Sequence, residues 1–203
     1  IDRSDDSNSP TDLDGDGVPD TYASATAGNV SNVFVALQTM LQTNDQLFVF
    51  FTDHGGPQED GDAWDVELNL WNREVLLDTD LKALTETISC PVFFAMEQCY
   101  SGGFLNDLNQ TNRAIATAAQ YNESSYAGET FPYFNQWAYH WTAAMRGFYP
   151  QTNAPWIDSE PCDADSNDDG AVSFKEAAEY ATAHKASLDH PMYAENPELL
   201  GQH

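Results

Sequence analysis

Two short segments of this sequence carry groups that could do covalent chemistry together. "FFTDHGG" (residues 50–56) places Asp53, His54, Gly55 and Gly56 after an apolar run. "MEQCYSGG" (residues 96–103) places Glu97, Gln98, Cys99 and Tyr100 before Gly102 and Gly103. The thiolate is the nucleophilic form of cysteine, and it needs a base or an electropositive setting to form near neutral pH. An imidazole titrates in that range, so His54 could take the Cys99 proton and later return it to a leaving amine. Glycines let backbone N–H groups approach a developing oxyanion, and Gly55 with Cys99 itself are the expected donors. Each residue alone would ordinarily be a packed thiol or a hydrogen-bonded ring. Two segments of matching form shift the reading to a Cys–His pair at the ends of two strands.

A different chemistry is carried by two acidic loops. "DSNDDGAVSFKE" (residues 165–176, within a loop spanning 163–176) alternates Asp165, Asn167 and Asp169, then sets Gly170 at the sharp turn. The Ala171 carbonyl, Ser173 and a closing Glu176 complete an EF-hand-type oxygen set, and a helical pattern follows. Calcium, a hard ion taking about six to eight oxygens, suits that spacing. "DLDGDGVPD" (residues 12–20) is shorter, with Asp12, Asp14, Asp16, the Val18 carbonyl and Asp20, but Ala23 stands where a closing Glu would be. It resembles the compact calcium loops of thrombospondin type 3 and dockerin repeats. The expectation is one or two structural Ca²⁺ ions; the alternative is a pair of solvated acidic loops.

Both candidate catalytic segments follow apolar runs of strand length, "QLFVFF" (46–51) and "PVFFAM" (91–96), expected to be strands covered on both faces. "RAIATAA" (113–119) reads as a third strand, and "DVELNLW" (65–71) with "REVLL" (73–77) as a hairpin. Helical spacing appears in "SNVFVALQTMLQ" (31–42), with Ser31 as N-cap, in "DTDLKALTETI" (78–88), read as capped, and in the aromatic "YFNQWAYHWTAAM" (133–145). Strands alternating with helices predict an α/β sheet with helices on its faces. In a parallel sheet ligands gather at the carboxyl ends of strands, which is where His54 and Cys99 stand.

Composition bounds the rest. The 203 residues suit one domain, and 41% hydrophobic content with five Trp, nine Tyr and eleven Phe marks a globular chain. Seven Lys and Arg against 33 Asp and Glu give a net charge of −26, which repels nucleic acid and anionic membranes. Such a charge suits cation binding, high salt or an extracellular setting, and no apolar run approaches the roughly 20 residues of a membrane span. Ile1 is read as a processed or trimmed start. Cys90 and Cys162 read as buried free thiols, a disulfide between them being the alternative in an oxidising compartment. His140, His184, His190 and His203 show no metal-ligand spacing and read as surface or helix-face groups.

Taken together, "FFTDHGG", "EQCYSGG", "AIATAAQYNESSYAGE" (114–129) and "DGVPDTYASATAGNVSNVFVAL" (16–37) resemble the legumain-type cysteine peptidases, the asparaginyl endopeptidases of family C13. Those belong to the caspase-like fold group, and the likeness covers about residues 17–145. The resemblance implies a single caspase-like α/β/α sandwich over residues 1–203 with a mainly parallel central sheet. It implies a secreted cysteine endopeptidase that hydrolyses peptides or proteins through a His54–Cys99 dyad and an acyl-enzyme. It places Glu97 and Ser125, with Ser124 beside it, in the pocket for the residue before the scissile bond. Gln136 stands where legumains carry the acid of a Gly-Asp-Trp element, which removes a charge from that pocket. Legumains also have an upstream strand and helix, expected here either as a cleaved partner chain or as a part outside this sequence. The EF-hand-type loop lies outside the animal and plant pattern and points to a microbial relative. The rival readings are an inactive calcium-dependent scaffold of the same fold and a transamidase or ligase of the same family.

Overall fold

In the computed structural model, which describes residues 12, 15–128, 135–151 and 154–202, the apolar runs and periodic stretches become nine strands and five α-helices. In chain order these are α1 (Ala27–Met40), β1 (Leu47–Phe51), β2 (Gly55–Pro57), β3 (Val66–Asn69), β4 (Val75–Leu77), α2 (Asp78–Thr85) and β5 (Val92–Met96). Then follow α3 (Leu105–Leu108), β6 (Arg113–Thr117), α4 (Gln136–Arg146), β7 (Phe148–Gln151), β8 (Ala154–Pro161), α5 (Phe174–His184) and β9 (Met192–Asn196).

The central sheet has the order β1-β5-β6-β9, with β1, β5 and β6 parallel and β9 antiparallel to β6. The period-two alternation of strand side chains divides its residues between two faces. On one face Val92, Phe94, Met96 and Ile115 pack with Val30 and Phe34 of α1 and with Leu81 of α2. On the other, Ala95, Ala114 and Ala116 leave room for α4 and α5, whose Trp137, Trp141 and Phe174 fill the layer. Among the described residues no helix is long and apolar enough to cross a membrane. The alternation of elements predicted a sheet with helices on its faces, and the α/β/α sandwich with a mainly parallel sheet is the architecture that the resemblance implied.

Several local expectations shift. The first helix starts earlier, at Thr26, whose hydroxyl accepts the Asn29 N–H at 3.3 Å, so Ser31 is inside the helix and not its cap. The second has no side-chain cap at Leu77. Its first residue, Asp78, is instead fully buried and accepts from Gln58 Nε2, Val66 N and Thr79 N, tying the β2–β3 connection to α2. Burial raises the Asp78 pKa, partly opposed by those two backbone donors. Strand β1, expected to be covered on both faces, is only partly covered, and among the described residues it lies at the sheet edge. Phe48 and Phe50 stack on Trp141 yet remain 46% and 38% exposed. The segment after His54 is itself strand β2, joined to the β3–β4 hairpin in a small three-stranded sheet.

Two buried features complete the frame. Arg113 opens β6 with a guanidinium that donates to the carbonyls of Thr85, Ile88 and Cys90, satisfying chain ends behind α2. Cys90 and Cys162 are buried free thiols.

Candidate active site

Parallel register sets the geometry of the site. Phe51 of β1 is paired with Met96 of β5, and Glu97 N donates to the Phe51 carbonyl at 3.1 Å. His54 and Cys99 each lie three residues beyond that last pair, at the same rim of the sheet. The two chains then converge. A Cβ on Gly55 would fall 2.5 Å from the Cys99 carbonyl oxygen and 2.7 Å from Gln98 Cγ. The main chain next to His54 therefore rests on the main chain at Cys99, and only glycine permits it. His54 is exposed; its N–H donates to Asp53 Oδ1 at 2.6 Å and its carbonyl accepts Asn69 N at 2.9 Å. Both bonds hold the backbone and leave the ring at the surface.

Cys99 is half-buried and turns the chain sharply, because Tyr100 adopts a left-handed conformation at φ 60° before the short helical turn Ser101–Phe104. The glycines after it serve packing. A Cβ on Gly103 would meet Val66 at 2.5 Å, and one on Gly102 would meet the Ala119 carbonyl at 2.7 Å.

The residues expected around the substrate gather on the other side of the thiol. Ser125 Oγ donates to the Glu97 carbonyl at 2.6 Å and approaches Cys99 Sγ at 3.9 Å, while the thiol is 3.7 Å from the Ser125 carbonyl. Ser124 is half-buried in the same loop. Gln136 begins α4, its N–H donating to the Tyr126 carbonyl at 3.0 Å. The Glu97 carboxyl accepts the Thr52 hydroxyl. Burial pushes its pKa up, the Thr52 bond opposes this, and the Asp53 charge adds to the rise. Two contributors escaped the sequence reading. Asn135 caps α4 through the Ala138 N–H at 3.0 Å and reaches the Glu97 carbonyl at 3.4 Å; its signal was an Asn, a preferred N-cap type, inside the stretch 133–145 read as helical throughout. Thr52, flanking the His54 segment, gave none.

The two acidic loops share one hydrogen-bond pattern. Asp12 accepts Gly15 N at 2.8 Å and Gly17 N at 2.9 Å, and Asp16 accepts Val18 N at 2.7 Å. Asp165 accepts Asp169 N at 3.1 Å and Gly170 N at 2.8 Å, and Asp169 accepts Ala171 N at 3.0 Å. Gly17 and Gly170 both take positive φ, 87° and 92°. Asn167 Oδ1 also accepts Asp169 N, at 2.8 Å. Asp20 is exposed, and Asp14 lies outside the described residues. The closing Glu176 is buried and engaged: it accepts from Ser166 and Asn167 on one oxygen and from both Ser173 donors on the other. The Ser173 amide leads the causes that hold its pKa at about 2, with burial opposing. Ser173 and Glu176 thereby form a capping box on α5. Among the described residues no three His, Cys, Asp or Glu side chains cluster closely enough to hold a metal ion. The oxygen donors suit calcium, but Glu176 would have to exchange some of its bonds to reach one.

Residues 4–145, more than half of the chain, match the peptidase C13 family, and the chain belongs to that family. Membership brings a caspase-like fold and cysteine-peptidase-type activity on peptides or proteins. The fold is also similar to the crystal structure of protein GSU0716 from Geobacter sulfurreducens, with a TM-score of 0.56. The two are 16% identical, over 88% of this chain and 77% of that one. No curated protein matches the sequence.

The contact at Gly55 generates a paired test. Gly55→Ala should cost about 1–3 kcal/mol in urea unfolding, since its methyl group would meet backbone. Gly56→Ala, where nothing lies within 4 Å, should be neutral or stabilising by up to about 1 kcal/mol. Equal effects would show that the two strand ends are not in contact.

Proposed function

We propose that this member of the peptidase C13 family is an endopeptidase that cleaves through Cys99 and His54. The observation that carries the reading is the contact of Gly55 with the Cys99 carbonyl, which joins the two strand ends at one rim. In this mechanism His54 takes the thiol proton as Cys99 Sγ bonds to the scissile carbonyl carbon. The tetrahedral oxyanion is held by the N–H groups of Gly55 and Cys99. As the C–N bond breaks, His54 passes its proton to the leaving amine. A water, deprotonated by the same ring, then displaces the thiolate from the acyl-enzyme.

Glu97, Ser124, Ser125 and Gln136 would receive the side chain before the scissile bond, and a wall of carboxyl, hydroxyl and amide groups suits a short polar residue. Because burial raises the Glu97 pKa, this carboxyl keeps its proton at a pH where ordinary carboxylates have lost theirs. Protonated, it can donate to a substrate carboxylate; ionised, it can only accept from an amide.

Beside β1 lies a groove of about 320 Å³ lined by Val30, Phe34, Leu37, Val49, Phe51 and Leu68. That groove and the open edge of β1 support a further strand docking there, and we read it as an upstream segment acting as a cleaved partner chain. The matching loop patterns around Asp12 and Asp165 support one or two structural Ca²⁺ ions, in a secreted protein working where calcium or salt is plentiful. When bound, calcium would neutralise the loop carboxylates of Asp12, Asp16, Asp165, Asp169 and Glu176, with the Asn167 amide oxygen as a further ligand.

Three outcomes follow for measurement. Cys99→Ala and His54→Ala should each abolish cleavage of a peptide library with unchanged circular dichroism, and undiminished cleavage by Cys99→Ala rejects the dyad. Cleavage after Asp relative to Asn should rise as pH falls, and Glu97→Gln should flatten that ratio; a pH-independent ratio in the parent protein removes Glu97 from the pocket. Adding Ca²⁺ to chelator-treated protein should raise the melting temperature, by the equivalent of about 2.7 kcal/mol at 100 times the Kd. Asp165→Asn together with Glu176→Gln should lose the part of that rise due to the second loop. A flat calcorimetric response in the parent protein would eliminate both sites.

A further inference from the structure

The loop that carries Ser125 is held from a part of the chain beyond the stretch matching the family. Residues 185–191 connect α5 to β9, and Asp189 within them is 2% exposed. A buried carboxylate is costly unless it is paired and hydrogen-bonded. Asp189 Oδ1 lies 2.9 Å from Lys185 Nζ and accepts Ser187 Oγ at 2.6 Å. Lys185 Nζ also donates to the Ser187 carbonyl at 2.8 Å and to the Asp189 carbonyl, closing the turn upon itself. The other oxygen, Oδ2, accepts Tyr126 N at 3.0 Å, a bond that leaves the turn to meet an amide beside Ser125.

A second tether sits next to the first. The Glu123 carboxylate accepts His190 N at 2.5 Å and lies 2.9 Å from His190 Nδ1, with Gln120 N a further donor at 2.9 Å. Burial alone would raise the Glu123 pKa, but these bonds outweigh it and hold the carboxyl below its ordinary range. The Glu123 carbonyl in turn accepts Tyr100 N at 2.8 Å, directly after Cys99. Two adjacent residues, Asp189 and His190, thus hold the loop on either side of Ser124 and Ser125. That loop reaches both the thiol and the residue following it. His190 is a surface group, as its sequence context suggested, and its ring also holds Glu123.

We propose that Asp189 is a positioning residue for the substrate pocket: through Tyr126 N it sets Ser125 against Cys99 and the Glu97 carbonyl, with Glu123–His190 as the second anchor. The inference rests on the reading that Cys99 attacks the substrate and that Ser125 lines its pocket. Asp189 touches neither substrate nor reacting atoms; it acts through the loop. Small displacements of groups around a reacting centre cost rate heavily, so the loss should fall on peptide turnover.

The test compares Asp189→Ala, Asp189→Asn and His190→Ala in the full chain. Asp189→Ala should lower kcat/KM for a peptide substrate by about 10- to 100-fold, while alkylation of Cys99 by iodoacetamide, which needs no pocket, stays within about twofold. Asp189→Asn keeps an oxygen for Tyr126 N but loses the charge facing Lys185. It should share the drop in melting temperature yet recover most of kcat/KM. His190→Ala, at an exposed ring, should lower kcat/KM by severalfold with little change in melting temperature. Unchanged kcat/KM in Asp189→Ala overturns the inference, as does an Asn variant no better than the Ala variant. Should Asp189→Ala fail to fold, the Asn and His190 variants decide it: parental turnover in His190→Ala, or a loss in Asp189→Asn matching that of Cys99→Ala, refutes it. If instead Cys99→Ala still cleaves, it is the underlying dyad that has failed.

Discussion

The site depends on a steric permission: the chain after β1 may lie on the chain after β5 only because Gly55 has no side chain. Parallel pairing brings Phe51 and Met96 level, and three more residues on each strand reach His54 and Cys99. Without the close approach at Gly55 those two segments would diverge, since nothing in strand pairing extends past Glu97 N. The left-handed Tyr100 then turns the chain away, so that the thiol sits at a corner and not inside a strand. Gly102 and Gly103 allow the following turn to press against Ala119 and Val66. The glycines flanking the thiol thus act first through packing, and through packing they fix where its neighbours stand.

The sheet gives this rim a rigid base by packing helices on both of its faces. Val92, Phe94, Met96 and Ile115 fill the α1–α2 layer, whereas Ala95, Ala114 and Ala116 let α4 and α5 approach closely. The proposed pocket borrows from both arrangements. Glu97 leaves the end of β5, Gln136 starts α4, and Asn135 between them caps the helix while touching the Glu97 carbonyl. One wall of the proposed substrate site is in this way attached to a core helix, which limits its drift.

Much of this was legible in the residues. Apolar runs leading into His-Gly-Gly and Cys-Tyr-Ser-Gly-Gly announce strands that end at those residues, because strand period and turn residues are local signals. The acidic loops were legible for the same reason, spacing within one short stretch. What stayed hidden was non-local. Nothing near Asp189 marks it as the partner of Tyr126 N, 63 residues away, and its neighbours Ser187 and His190 suggest an ordinary connection. The start of α1 was misplaced because Thr26 and Ser31 both suit an N-cap, and only the Glu74 carboxylate meeting Ala27 N at 2.7 Å favours the earlier one. The strand character of Gly55–Pro57 was invisible too, since its pairing comes from β3 and not from its own composition.

The charge imbalance explains how such tethers are built. Seven basic side chains cannot partner 33 acids, so ion pairing is a minor device in this chain. The anchoring carboxylates are held instead mainly by backbone N–H groups: Val66 and Thr79 for Asp78, Gln120 and His190 for Glu123, Tyr126 for Asp189, Ser166 and Ser173 for Glu176, Gly170 for Asp165. An N–H donor near a carboxylate supplies direction that a mobile ammonium does not, and it joins the acid to a specific main-chain position. Two of the few cations are correspondingly committed inside, Arg113 to carbonyls and Lys185 to the Asp189 turn. An acidic protein of this kind turns its surplus of carboxylates into loop fasteners. The same bond that shapes the turns at Asp12 and Asp165 also holds the loop bearing Ser125 against the thiol.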